Sequence, residues 1–222
     1  MNTFTEENYL KAIYKLCEYS DTPVNTNAIA NSIKTKAATV TDMLKKLNEK
    51  KLINYVPYKG VTLTKQGNKI ALDIIRKHRL WELFLVETLN FKWDEVDKIA
   101  EQLEHIKSDD LINRLDSFLG FPKKDPHGDP IPDKNGVIDS SQQIRLSEVK
   151  INKPCIMSGV IDHSGSFLRY LEEINLQLGQ IIKVVKYFDY DGSIDLMLDS
   201  KNTIHISKQV AGNVLVTLHN RG

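Results

Sequence analysis

The chain has 222 residues, 41% of them hydrophobic, with 30 Lys and Arg against 29 Asp and Glu. That length supports one large domain or two to three small ones with a core that needs no staples. An apolar run of about 18 residues and a basic-then-apolar leader are both missing, which excludes a visible membrane span or secretory signal and makes a cytoplasmic protein the expectation.

The near-neutral total hides an asymmetry. Residues 1–75 carry 11 basic against 7 acidic side chains, residues 76–140 carry 10 against 14, and the remainder carries 9 against 8. A basic head permits a nucleic-acid surface and an acidic middle permits a cation site. The two cysteines, Cys17 and Cys155, stand far apart in apolar patterns, as buried thiols do in a reducing compartment, and exclude a zinc-finger scaffold.

In chain order, "TFTEENYLKAIYKLCEY" places Tyr9, Ile13, Leu16 and Cys17 on one stripe of an amphipathic helix, with Thr5 as its N-cap. Two short helical patterns follow, "NAIANSI" and "AATVTDMLKKLNEK", the second capped by Thr35. "KLINYVPYKGVTLTKQG" then reads as two short strands around a turn at Pro57 to Gly60. Two helices about a tight turn and a small hairpin describe a winged helix-turn-helix. A small three-helix domain without a ligand has the same outline. Charge placement favours DNA: Lys34, Lys36, Lys45, Lys46, Lys50 and Lys51 crowd around the second helix, and Thr35, Thr39 and Thr41 stand near its start. Such a helix enters a major groove with Lys36, Ala37, Ala38 and Thr39 toward the bases and Lys45 and Lys46 on phosphates, while Lys59 on the wing tip adds a backbone contact.

From Ile70 to Leu89 the pattern is helical and rich in large apolar side chains, among them Leu80, Trp81, Phe84 and Leu85, as in a core or dimer helix. A second helix is expected from Trp93 to Lys107, and "SDDLINRLDSFLG" makes a third, with Ser108 as cap and Gly120 as stop. "FPKKDPHGDPIPDKNG" holds four prolines and ends the helical half as a loop. The C-terminal part of the chain changes period: "QIIKVVKYFDYDGSIDLMLDSKNTIHIS" alternates in short strand-like runs after one helix, "GSFLRYLEEI", and a small β-barrel is the economical reading.

Carboxylates and imidazoles recur at helical spacing in the middle third. Glu101, Glu104 and His105 stand at i, i+3 and i+4, His78 and Glu82 at i, i+4, and Asp97 one turn before Glu101. Oxygen ligands mixed with imidazole suit Mn²⁺ or Fe²⁺, whereas a solvated helix face has the same pattern. His127, two residues after Asp125, is either a loop histidine or half of a ligand pair. A binuclear hydrolase uses these residue types too, but the chain has no nucleophile motif, glycine-rich phosphate loop or HExxH.

The order "EENYLKAIY", "NAIANSIKTKAATVTDMLKKL", "RKHRLWELFLVETL", "EQLEHIKSDDLINRLDSFLGFPKKDPHGDPIP" and "GSFLRYLEEINLQLGQIIKVV" resembles the diphtheria-toxin-repressor family of metal-dependent transcriptional regulators, particularly its manganese-responsive branch. Its most specific parts are "HRLWE", "LEHIKSD" and "GFPKKDPHGDPIP", and it covers nearly the full length. The resemblance implies an α+β fold: a winged helix-turn-helix over 1–72, a helical dimerisation and metal domain with a Pro-rich linker over 73–140, and an SH3-like (FeoA-type) barrel over 141–222. It implies a homodimeric repressor of metal homeostasis on an operator in double-stranded DNA, not an enzyme and not a membrane protein, with Mn²⁺ as effector, Fe²⁺ as the alternative and Zn²⁺ binding in vitro.

The resemblance places a principal metal site on Glu101, Glu104, His105 and Asn8, the last where relatives have aspartate or methionine. Where manganese sensors carry a second acid this chain has Lys11, whose ammonium repels a nearby cation. An ancillary site falls on Glu82, Asp125, His127 and Asp162, with His78 or His163 as substitutes. Two rivals stand beside this reading: a metal-independent winged-helix regulator, favoured by Asn8 and Lys11, and a metalloenzyme.

Overall fold

The computed structural model describes residues 3–17, 23–139, 142–199 and 202–219. The backbone divides into two compact units, one made of Met1–His78, Glu101–Ile112 and Pro132–Ile138, the other of Arg79–Ala100, Asn113–Ile131 and Asp139–Gly222.

The first unit contains the winged helix: α1 (Phe4–Cys17), α2 (Thr26–Ser32), α3 (Ala37–Glu49) and an antiparallel hairpin of β1 (Ile53–Val56) and β2 (Gly60–Leu63). Tyr9, Leu10 and Ile13 of α1, Ile29 of α2 and Val40, Leu44 and Leu47 of α3 are buried in one core with Ile53 and Val61 of the hairpin. Backbone bonds run both ways between Val24 and Val61, at 3.0 and 2.9 Å, and lash the wing to the segment before α2.

Two expected caps are corrected. Helix α1 starts a residue before Thr5 and is closed by Thr3: Glu6 N donates to Thr3 Oγ1 at 3.3 Å and Thr3 N to Glu6 Oε2 at 3.1 Å. This reciprocal box satisfies two N–H groups at once, which Thr5 inside the helix has no geometry to do. Helix α3 has Lys36, not Thr35, at its N-cap and no side-chain cap. The N–H groups of its first turn therefore have no acceptor from the cap side chain.

Helix α4 (Lys65–Glu87) is followed by α5 (Asp97–Leu103) and α6 (Asp109–Phe118). The helix expected over Trp93 to Lys107 is thus a short one, and Glu104 and His105 lie in the turn after it. Ser108 Oγ accepts from Leu111 N at 3.3 Å. Gly120 has a φ of +74°. Helix α6 therefore starts and stops where its cap residues stand.

The second unit holds a six-stranded antiparallel sheet of order β3-β8-β4-β5-β6-β7. Its strands are β3 (Ile144–Arg145), β4 (Pro154–Val160), β5 (Ile181–Tyr187), β6 (Ile194–Leu198), β7 (Asn202–Ile206) and β8 (Val214–Leu218), with α7 (Gly165–Glu173) and α8 (Lys208–Asn213) between them. Inward residues of β4, β5, β6 and β8 share one core with Phe167, Leu168 and Leu171 of α7. Cys155 is buried in this core and Cys17 is partly exposed, and neither is bonded to another cysteine. Among the described residues no helix is long and apolar enough to cross a membrane.

Candidate metal centres and nucleic-acid face

In the first unit three elements converge. Helix α1 presents Glu7, Asn8 and Lys11, α4 presents His78, and the end of α5 presents Glu101 with Glu104 and His105 just beyond it. Lys11 Nζ lies 2.5 Å from Glu101 Oε2, 2.7 Å from Glu104 Oε1 and 2.8 Å from Glu104 Oε2. Its side chain is 9% exposed and that of Glu104 is fully buried. His78 Nδ1 stands 2.6 Å from Glu104 Oε2, and His105 Nδ1 stands 2.8 Å from Glu7 Oε2 with its ring stacked on Phe4. His78, expected as a substitute in the other cluster, makes this contact with Glu104.

Glu101, Glu104 and His78 are close enough together to offer ligand atoms to one ion. Asn8 Oδ1, buried with no hydrogen-bond partner, is a further open acceptor on α1. Yet the ammonium has three N–H groups and finds three carboxylate oxygens, so the cluster is a completed ion pair. A divalent ion about 4 Å from that ammonium meets a repulsion of about 8 kcal/mol at an effective dielectric of about 20. The residues do not fit a divalent ion while Lys11 is seated among them.

The second unit contains a different arrangement. Glu82 on α4, Asp125 and His127 are all buried and converge within reach of one ion. The 125–129 turn aims them: Asp125 Oδ1 accepts from His127 N at 2.8 Å and from Asp129 N at 2.9 Å. This side-chain turn leaves Oδ2 free of the backbone. His127 Nε2 lies 2.8 Å from the Trp93 carbonyl. A carbonyl only accepts, so Nε2 carries the proton of that contact, and Nδ1, once its own proton is lost, is the atom able to ligate an ion, the arrangement common to metal-bound histidines.

Asp125 Oδ2 and His127 Nδ1 are buried without a hydrogen-bond partner, and Glu82 Oε1 stands 3.6 Å from Nδ1, an ion-pair distance. Burial first, and then the charges of Asp129 and Glu82, push the Asp125 carboxyl up to about 7. Burial disfavours a charge on His127, but Glu82 and Asp125 outweigh it and raise its pKa to about 9. Both shifts have the causes expected of crowded, desolvated charges. Orphaned ligand atoms beside crowded carboxylates are what a bound cation relieves, so this donor set fits one.

Gly128 holds the turn down. Its φ is +87°, and a Cβ there would stand 2.2 Å from the Ser158 carbonyl oxygen of β4. Only glycine lets the loop lie on the strand. Of the other expected ligands, His163 stacks on His127 at 4.7 Å between ring centroids. Asp162 accepts from Ser164 N at 2.8 Å at the entry to α7 and is not one of the three that converge. Sequence reasoning missed Arg79, whose Nη1 donates to the Pro130 carbonyl and Nη2 to Asp129 at 2.9 Å, and whose Nε lies 3.7 Å from Asp125 Oδ2. Nothing in the local pattern marks it, because its partners come 46 to 51 positions later.

Of the nucleic-acid candidates, Ala37, Thr41, Lys45 and Lys59 line one groove of the winged helix. Thr35, Lys36, Ala37, Ala38 and Thr39 are exposed, Thr41 is half-buried, and Lys45 and Lys59 are exposed beside the groove between α3 and the wing. Lys46 is otherwise engaged: its Nζ is 3.0 Å from Glu6 Oε1, and Lys50 Nζ reaches both oxygens of the same buried carboxylate at 2.8 Å.

A winged helix with an open recognition face, joined to helices and a sheet domain that gather carboxylates and imidazoles, is the build of a DNA-binding regulator. The chain matches the family described as iron-dependent repressor, N-terminal DNA-binding domain, over residues 1–61, and its metal-binding and dimerisation domain over 64–133. Residues 144–218 match the FeoA domain. It is 32% identical over 157 residues to the iron-dependent repressor IdeR of Mycobacterium tuberculosis, covering 68% of each chain. It is 26% identical over 208 residues to the diphtheria toxin repressor of Corynebacterium diphtheriae, covering 89% of this chain and 90% of that one. A manganese-dependent transcriptional repressor solved in complex with manganese superposes with a TM-score of 0.89 at 34% identity, over 96% of this chain and all of the other. The chain belongs to the iron-dependent repressor family, whose members are metal-dependent DNA-binding transcriptional repressors and not enzymes.

Proposed function

We propose that the chain is a homodimeric repressor of metal homeostasis genes that binds an operator in double-stranded DNA in the cytoplasm and responds to a divalent ion, Mn²⁺ first and Fe²⁺ second. One observation carries the effector site: the buried trio of Glu82, Asp125 and His127, in which two ligand atoms have no hydrogen-bond partner. Carboxylate oxygens and one imidazole, with no thiolate, favour these ions over softer ones. When bound, the ion supplies positive charge to two crowded carboxylates and cross-links α4 to the 125–129 turn. Asp125 and His127 orient it through their backbone and carbonyl bonds, and Gly128 keeps their loop on β4.

DNA is read by α3, whose first turn offers Lys36, Ala37, Ala38 and Thr39 and uncapped N–H groups to bases and phosphates. Lys45 and Lys59 contact phosphates on either side. The dimer forms through apolar side chains left exposed near α6, where Phe118 and Phe121 are 67% and 64% exposed. Large apolar groups left in water at one place mark an interaction surface.

Equilibrium dialysis with Mn²⁺ and metal analysis of wild type, Glu82→Gln and His127→Ala tests the site. One ion per chain is expected, lost in both variants, with operator affinity falling alongside. Unchanged metal content in both variants would remove the trio from the function. Anaerobic competition between Mn²⁺ and Fe²⁺ ranks the effectors. A second reading, DNA binding with no metal requirement, is favoured by a single feature, the ammonium seated among Glu101 and Glu104.

A further inference from the structure

We propose that Lys11 is the resident cation of the first cluster: its ammonium, tethered through α1, joins that helix to the end of α5 where the family resemblance expects a metal ion, so the winged helix is fastened there without metal. The proposal rests on the family reading only for the expectation that an ion belongs at this place.

The accounting is local. Glu101 and Glu104 bring two negative charges to one point, separated from Lys11 by 90 and 93 positions in the chain. An ammonium and a hydrated divalent ion compete for the same carboxylate oxygens, and Lys11 has the advantage of being covalently present at high effective concentration. Every oxygen an ion would take from Glu104 is already used, by Lys11 on both and by His78 on Oε2. His105, another expected ligand, points Nδ1 at Glu7. Asn8 brings a neutral amide to this point, so it adds no negative charge that would favour a divalent ion over the ammonium already seated there.

The same helix is also fastened in its first turn. Glu6 holds Lys46 and Lys50 of α3 and its C-terminal flank, so α1 is a strut with one ion pair toward the recognition helix and another toward α5. The two clusters then divide the work: the one around Lys11 is constitutive, and the one around Glu82 and His127 is left to respond to an ion.

The test uses the full chain with Mn²⁺ or EDTA and two readouts, bound Mn²⁺ per chain and hydrogen exchange of the α1 amides. In wild type, α1 exchange is expected to be the same within twofold in EDTA and in Mn²⁺, and Glu104→Gln should leave the metal content unchanged. In Lys11→Met and Lys11→Glu, α1 exchange in EDTA should rise at least tenfold. Mn²⁺ should restore protection in Lys11→Glu, with one more ion per chain than wild type. Wild-type protection that depends on Mn²⁺, or an ion lost in Glu104→Gln, would show that metal displaces the ammonium and would overturn the proposal. So would α1 exchange left unchanged in EDTA by both Lys11 variants. If Lys11→Met does not fold, the wild-type arms and Lys11→Glu decide alone. The second cluster is followed separately through His127→Ala, whose metal content reports only on the proposed effector site.

Discussion

The tie between α1 and α3 invites a quantitative test by Glu6→Gln. Glutamine keeps the shape and the oxygen that accepts from Thr3 N, and it removes only the charge that Lys46 and Lys50 share. Burial of Glu6 works against its charge, but hydrogen bonds from Lys50, Lys46 and Thr3 outweigh that and lower its pKa from 4.5 to about 2. That gap corresponds to at most about 3 kcal/mol of folding stability. The lysine side chains are 51% and 38% exposed. Solvent screening therefore reduces the expectation to roughly 2 kcal/mol. Because the pKa is depressed in the folded state, this stability is complete above the unfolded value of 4.5 and is lost as pH falls toward about 2. Native-state hydrogen exchange of α1 and α3 amides reads the winged helix apart from the rest of the chain. At pH 7 the variant should be less stable by roughly 2 kcal/mol, and the gap should narrow to about half by pH 3. A loss independent of pH, or no loss at pH 7, would refute the assignment of that stability to the carboxylate.

Lys45→Ala and Lys59→Ala should each weaken binding to all DNA sequences alike and flatten the slope of log K against log salt by roughly 0.9, read by fluorescence anisotropy across a salt series. Metal uptake at the second cluster should release protons, because the ion displaces those held by His127 below about pH 9 and by Asp125 below about pH 7. Affinity should thus rise about tenfold per pH unit between 7 and 9 and more steeply below 7, and calorimetry in buffers of different ionisation heat counts the protons. Gly128→Ala should lift the 125–129 turn from β4, cost about 2 kcal/mol or more and weaken Mn²⁺ binding, as thermal unfolding with and without metal will show. Phe118→Glu should shift the dimer toward monomer in sedimentation equilibrium at micromolar concentration while leaving the far-ultraviolet circular dichroism unchanged.

Elements whose signals are local are legible in the chain itself. The stripe of Tyr9 and Ile13, the amphipathic α3, the hairpin around Pro57 to Gly60 and the Ser108 and Gly120 limits of α6 all depend on neighbours within a few residues. Periodicity and cap chemistry suffice for them. The strands β4 and β8 are harder to read, because Cys155 pairs with Leu218 across 63 positions. Such long-range pairing, with no local signal, makes each a strand. Spacing also puts Glu101, Glu104 and His105 side by side, and the charge of Lys11 is plain from its type. What the sequence does not contain is the position of the ammonium. Whether Lys11 stays in solvent or enters the carboxylates depends on α1 docking beside α5 through side chains 90 and 93 positions apart. Charge and spacing are local properties of a chain, whereas burial and the partner that finally satisfies a charge are settled by contacts between distant segments. The sequence alone therefore determined that this protein carries a winged helix and clusters of metal-type ligands, and only the tertiary structure decided which cluster holds its own lysine and which buries ligand atoms without a hydrogen-bond partner.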